Sequence, residues 1–185
     1  YLLLGPAAGT YDPTTADSVL IGEESLDSSG SRIAGAGDAD ADGYADVLVA
    51  APGNNEGGTN AGAVYLVHGP LPAASLDLSL ADARLIGELT DDVAGVGLAG
   101  ACDMDADGFD DVVVGAYELD MDHVTWNSYG RAYVLLSPLG GTVDLSTAWA
   151  EIEGDSLWDS AGAAVDCGDL DADGWPDLLI GAHLD

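Results

Sequence analysis

Three nine-residue stretches concentrate acid in a pattern suited to holding a hard cation. They are Asp38-Ala-Asp40-Ala-Asp42-Gly43-Tyr44-Ala-Asp46, Asp103-Met-Asp105-Ala-Asp107-Gly108-Phe109-Asp-Asp111 and Asp169-Leu-Asp171-Ala-Asp173-Gly174-Trp175-Pro-Asp177. Each reads D-x-D-x-D-G-aromatic-x-D. Asp at positions 1, 3 and 5 of a tight loop turns three carboxylates to one side, and Gly at position 6 permits the sharp turn. Position 7 offers a backbone carbonyl whatever its side chain, so Tyr44, Phe109 and Trp175 are read as carbonyl ligands. Asp46, Asp111 and Asp177 close the shell at position 9. Such a set of oxygens suits Ca²⁺, which takes six to eight of them in a flexible geometry. Mg²⁺ demands a smaller, stricter octahedron and keeps its waters. No His or Cys occupies a ligand position, which disfavours transition metals. Without a cation the four carboxylates would repel one another. The expectation is one Ca²⁺ per loop and three per chain. The EF-hand shares the D-x-D-x-D-G opening but needs a Glu at position 12 and flanking helices. Position 12 here is Val49, Val114 or Ile180, each inside an apolar run.

The loops recur with their surroundings, and those surroundings must position them. Loop starts are 65 (103 − 38) and 66 (169 − 103) residues apart. Small residues precede each loop, as in Ser29-Gly30, Ala94-Gly95 and Ala161-Gly162. An apolar run follows each: Val47–Pro52, Val112–Tyr117 and Leu178–His183. Farther upstream lie Val19–Gly22, Arg84–Gly87 and Ala150–Gly154. A fourth run follows the first two loops at a distance, Tyr65–Pro70 and Tyr133–Pro138, and the chain opens with its like, Tyr1–Pro6. Runs of four to seven Val, Leu, Ile and Tyr residues between Gly, Pro, Asn and Asp read as strands. Residues 73–83 and 142–150 have room for a helical turn but are read as connections. Four strands per repeated unit is the signature of a β-propeller blade. The fold is therefore expected to be all-β, a propeller of four-stranded antiparallel blades with three blades per chain. The units are read as 17–70, 83–138 and 149–185. The last lacks its final strand, which residues 1–6 supply from the N-terminus.

Charge excludes whole classes of partner. The chain has 185 residues, 34 acidic against 3 basic, for a net charge of −31; the only cations are Arg32, Arg84 and Arg131. Such a surface cannot neutralise phosphates, so neither nucleic acid nor anionic membrane is an expected partner. No apolar run approaches the 18 residues of a spanning helix. No charged start leads into an apolar segment, so the chain reads as a mature or excised one. Cys102 and Cys167 are too few for a disulfide scaffold; both precede Asp-rich loops, one place apart in register, and they read as small buried thiols rather than a disulfide or a nucleophile, since no partnered His recurs with them. His68, His123 and His183 fall at three different repeat positions and read as ordinary solvated or hydrogen-bonded histidines. The insertion Leu119–Tyr129, with Asp120, Asp122, His123, Trp126 and Tyr129, reads as a long surface loop whose aromatics offer a place for a sugar or protein ligand.

These repeats resemble FG-GAP repeats, the blades of the integrin α-subunit propeller and of many bacterial surface proteins. Ala50-Ala51-Pro52, Gly115-Ala116-Tyr117 and Gly181-Ala182-His183 stand for the family's Gly-Ala-Pro. Gly30, Gly95 and Gly162 stand for the Gly of Phe-Gly, with Ser29, Ala94 and Ala161 in place of the Phe. The resemblance implies a calcium-stabilised propeller that often presents adhesive loops; it does not imply catalysis. The alternative is the propeller scaffold of a secreted carbohydrate-active or lipase-like enzyme. No non-repeating cluster of acid, base and nucleophile is visible outside the repeats. A structural calcium role suits an extracellular, periplasmic or cell-surface location, where the ion is plentiful. Strand exchange between copies is the expected assembly: a homodimer with six blades, or a trimer with nine.

Overall fold

The computed structural model describes residues 1–6, 9–117 and 129–183. Its strands are β1 (Val19–Ile21), β2 (Ile33–Gly37), β3 (Asp46–Ala51), β4 (Ala63–Val67), β5 (Ser75–Asp77), β6 (Ala83–Ile86), β7 (Gly97–Cys102), β8 (Asp111–Ala116), β9 (Arg131–Leu135), β10 (Gly141–Asp144), β11 (Ala150–Glu153), β12 (Ala164–Gly168) and β13 (Asp177–Gly181). Helix among the described residues is limited to the 3₁₀ turns Pro13–Thr15, Leu78–Leu80 and Leu145–Thr147. The connections at 73–83 and 142–150 thus hold a short strand and one such turn each. Asp77 and Asp144 cap those turns by accepting from the N–H of Ser79 and Ser146, both at 2.9 Å.

Two sheets form the body: β2-β3-β4-β6, antiparallel throughout and extended by β10, which runs parallel to β6 as a fifth strand, and the four-stranded antiparallel sheet β7-β8-β9-β11. A third pair, β12 and β13, repeats the first two strands of that pattern. β2 packs beside β7, and β7 beside β12. The sheets therefore stack face to face as successive blades, and the apolar runs are buried on both sides. This is why β3 and β8 read as unbroken hydrophobic stretches, with no alternation of apolar and polar residues. One core joins the first two blades: Leu48, Val64, Leu66 and Leu85 meet Val112, Val114, Tyr133, Leu135 and Leu145. Another joins the second blade to β12 and β13 through Val113, Val134, Ile152, Val165 and Leu178.

The sheet boundaries fall one strand later than the repeat boundaries in the sequence. The run at Arg84–Gly87, which opens unit 83–138, pairs with β4 and so forms the fourth strand of the first blade. The run at Ala150–Gly154 likewise closes the second blade against β9. At the N-terminus, Leu2 bridges Ser18 just before β1. The N-terminal segment and β1 thus sit together as an outer pair of strands, while β12 and β13 form an inner pair. A cyclic repeat has no natural origin, so sequence periodicity sets the period of the blades but leaves their phase open.

Cys102 and Cys167 form a disulfide, contrary to the expected buried thiols. Their Cα atoms are 6.4 Å apart on the neighbouring inner strands β7 and β12. The one-place offset in sequence is the stagger between adjacent inner strands. The same stagger recurs one blade earlier, where a Cβ on Gly37 would stand 2.7 Å from the Cα of Ala101.

The glycines that precede each loop are required by backbone shape. Gly30, Gly95 and Gly162 all have positive φ, at 86°, 98° and 86°. A Cβ on Gly95 would also lie 2.7 Å from the Cβ of Ala50, and one on Gly162 would run into the carbonyl of Arg131. Gly95→Ala is therefore expected to destabilise by about 3 kcal/mol, from backbone strain and overpacking together. Denaturant melts with an unchanged m value check this; a loss below about 1 kcal/mol would show that the blades yield at this contact.

Candidate metal centres

Each Asp-rich loop joins the first two strands of a sheet, at the end where β2, β7 and β12 finish. The loops are closed by their own carboxylates. Asp38 accepts from the N–H of Asp42 at 2.9 Å and of Gly43 at 3.0 Å. Asp103 accepts from Asp107 and Gly108 at 3.0 and 2.9 Å, and Asp169 from Asp173 and Gly174 at 3.1 and 3.0 Å. Position 6 has φ of 91°, 95° and 94° at Gly43, Gly108 and Gly174, the left-handed turn that glycine makes without strain. Asp42, Asp107 and Asp173 each accept from the N–H of the aromatic residue two places on.

These turns gather acid. Carboxylate oxygens of Asp38, Asp40 and Asp42 lie within 4.8 Å of one another, as do those of Asp103, Asp105 and Asp111, and those of Asp169, Asp171 and Asp177. Oxygens that accept one N–H keep a second lone pair for a cation. The donor set is oxygen alone, anionic and held on a turn with room to adjust, which fits Ca²⁺. The position-7 residues Tyr44 and Trp175 are exposed.

Asp at position 9 also does something the sequence pattern does not reveal. Asp46 spans two elements, accepting from Ala39 N–H within the loop and from Gly69 N–H beyond β4, both at 2.8 Å. Asp111 does the same with Met104 and Ser137, again at 2.8 Å. Asp177 accepts from Leu170 at 2.9 Å. Asp46 and Asp111 are buried, and burial pushes both carboxyls above the ordinary aspartate value, while the N–H donors pull them back. A raised pKa in the folded state stabilises the fold below the ordinary value, and that stabilisation is lost as pH rises through the raised one. Chelated protein should therefore melt higher as pH falls from neutrality toward the carboxylate range. Calcium-loaded protein should melt lower over the same range, since protons displace the ion. Melts at paired pH values with and without chelator check this, and parallel trends would contradict it.

Neighbouring loops are tied together. Asp110 in the second loop accepts from Asp38 N–H at 2.8 Å, and its own N–H donates to the Asp38 carbonyl at 3.2 Å. His68 Nδ1 lies 3.3 Å from Asp40, at the edge of the first loop. His183 packs edge-on against Tyr117, the residue at the same repeat position. His123 and the insertion residues Asp120, Asp122 and Trp126 lie outside the described residues.

At the opposite end of the inner strands, three further acids recur that the motif search passes over. Asp27, Asp92 and Asp159 are buried in the turns that lead into β2, β7 and β12. Asp27 accepts from Asn54 Nδ2 at 3.0 Å, Asp92 from Leu89 N–H at 2.7 Å and Asp159 from Asp155 N–H at 3.1 Å. The signal was a lone Asp 11 places before the first two loops (38 − 27; 103 − 92) and 10 before the third (169 − 159), amid otherwise dissimilar residues. Around the first, Tyr65 donates its hydroxyl to Glu23 at 3.0 Å, and burial raises that phenol well above its usual range. Arg84 pairs with Glu23 and Glu56 at 3.3 and 3.1 Å.

Comparison with known proteins agrees with this geometry. The FG-GAP repeat family matches residues 29–67, which span β2, the first Asp-rich loop, β3 and β4. Integrin alpha pat-2 of Caenorhabditis briggsae is 33% identical over 139 residues, covering 75% of this chain and 10% of the relative. Integrin alpha-IIb of Mus musculus is 34% identical over 121 residues, covering 63% and 11%. The phosphatidylinositol-glycan-specific phospholipase D of Homo sapiens is 31% identical over 150 residues, covering 78% and 17%. The chain thus spans between a tenth and a fifth of the length of these relatives.

Proposed function

We propose, from the premise that this chain belongs to the FG-GAP repeat family, that it is a non-catalytic calcium-binding propeller module for adhesion, ligand recognition or assembly. The observation that carries the reading is the threefold gathering of carboxylate oxygens within 4.8 Å on identically closed loops. Asp38, Asp40, Asp42 and Asp46 would hold the first ion with the Tyr44 carbonyl. The second would be held by Asp103, Asp105, Asp107, Asp111 and the Phe109 carbonyl, and the third by Asp169, Asp171, Asp173, Asp177 and the Trp175 carbonyl. A bound cation offsets the repulsion of these carboxylates and locks the turn that sets the spacing of two strands. An extracellular or cell-surface setting is supported by the disulfide, which persists in oxidising compartments, and by the calcium concentrations such loops use.

The phospholipase D relative supports a second reading, in which the blades serve as the scaffold of a lipase-like or carbohydrate-active enzyme. Assay of the calcium-loaded chain on glycosylated phosphoinositides and a glycoside panel separates the two. No turnover above buffer is expected; calcium-dependent hydrolysis would overturn the non-catalytic reading.

A further inference from the structure

The first two Asp-rich loops meet at a residue that the ligand pattern does not use. Asp110 stands between Phe109 and Asp111, which would close the shell of the second ion. Its carboxylate accepts from Asp38 N–H at 2.8 Å, and its own N–H donates to the Asp38 carbonyl at 3.2 Å. Asp38 opens the first loop, and its carboxylate closes that loop onto the N–H groups of Asp42 and Gly43. Asp38 and Asp110 thus exchange two hydrogen bonds across a blade boundary, and the backbone at each is held by the other.

The space around this contact suits a carboxylate from the neighbouring loop. Gly37 has a φ of 76°, and a Cβ there would run into the Asp110 carboxylate. A Cβ on Gly100 would stand 2.7 Å from the Cα of Ala36, so β2 and β7 approach closely just before the two loops. Position 8 of the loop is Ala45 in the first repeat, Asp110 in the second and Pro176 in the third. Proline has no backbone N–H and no side-chain acceptor, so Pro176 cannot make the same exchange with the second loop.

We propose that Asp110 is a positioning residue for the first calcium site, acting from the second loop, so that filling the second site tightens the first. The inference rests on the calcium reading of the loops. Once the Phe109 carbonyl and the Asp111 carboxylate hold an ion, the backbone between them is fixed, and Asp110 with it. Asp110 then holds the Asp38 backbone in place before the first site fills. The ordering that the first site would otherwise require is already made, which gives positive cooperativity without a new contact to the ion. Linkage makes the effect reciprocal. Repulsion between two divalent ions opposes it, but salt screens that repulsion over about 8 Å at physiological ionic strength, whereas the hydrogen-bond pair is a direct contact.

The test is a calcium titration of the full chain at physiological salt. The amide NMR signals of Gly43, Gly108 and Gly174, whose N–H groups bond to the first Asp of each loop, follow the three sites separately. D105N disables the second site, and it should raise the calcium needed to half-fill the first by at least about fivefold. D110A should weaken the first site and leave the third unchanged, and adding D105N to D110A should weaken the first no further. D110N keeps an oxygen acceptor for Asp38 N–H and should retain the response to D105N. A first site that fills identically with and without D105N would overturn the proposal while leaving the calcium reading in force. So would an equal response to D105N in the presence and absence of Asp110, or a D110A protein that weakens all three sites alike. If none of the three glycine signals moves with calcium, the calcium reading falls and the proposal with it.

Discussion

Chelation is expected to remove most of the stability of this protein. A ligand at about 100 times its Kd stabilises a fold by about 2.7 kcal/mol per site. Calcium at roughly 10 mM over a Kd of about 10⁻⁴ M meets that condition for an extracellular module. Three independent loops then contribute about 8 kcal/mol, against a total of about 5–15 kcal/mol for an ordinary domain. The first two loops also touch: Asp110 of the second accepts from the backbone N–H of Asp38 in the first. Each loop also fixes the hairpin from which its blade grows, β2–β3, β7–β8 or β12–β13. Exhaustive chelation should drop the melting temperature by tens of degrees or leave no cooperative transition. Re-addition of calcium should restore it where magnesium at the same concentration does not. A melt unmoved by chelation would mean that the carboxylates are tolerated without a cation.

Loss of the Cys102–Cys167 bridge is the second large effect. The bond closes a loop of 65 residues, for which the chain-entropy relation gives about 4 kcal/mol. It also links the inner strand of the second blade to the β12–β13 pair, a two-stranded sheet among the described residues. A C102A/C167A variant should therefore lose β12 and β13 first, detected as hydrogen-exchange protection falling in residues 164–181 before the rest. Uniform protection throughout, with a stability loss under about 1 kcal/mol, would show that blade packing alone fixes that pair.

Much of this structure was readable from residue spacing, for reasons that also mark where reading failed. The Asp-rich loops were legible because alternate carboxylates and a glycine at one fixed place are local requirements. The strands were legible because blades buried on both faces need unbroken apolar runs, as in Val112–Val114. Blade boundaries were not, since β6 pairs with β4 across a connection that a repeat unit can equally well begin or end on. The disulfide was hidden because it depends on a stagger between neighbouring inner strands, which no single strand encodes. The second role of Asp46 and Asp111, bracing the loop to the turn beyond the third strand, needs a contact 23 to 26 residues away (69 − 46; 137 − 111). Asp27, Asp92 and Asp159 escaped notice because no second acid recurs within two places of them in all three repeats.

Calcium itself is the most direct test. Chain dialysed to equilibrium against calcium buffer, then analysed for protein and metal in the same sample, should carry three ions. A D105N variant should carry two and keep the first and third sites. No calcium above the buffer level, or an amount that rises without saturating as expected of a diffuse acidic surface, would contradict the account.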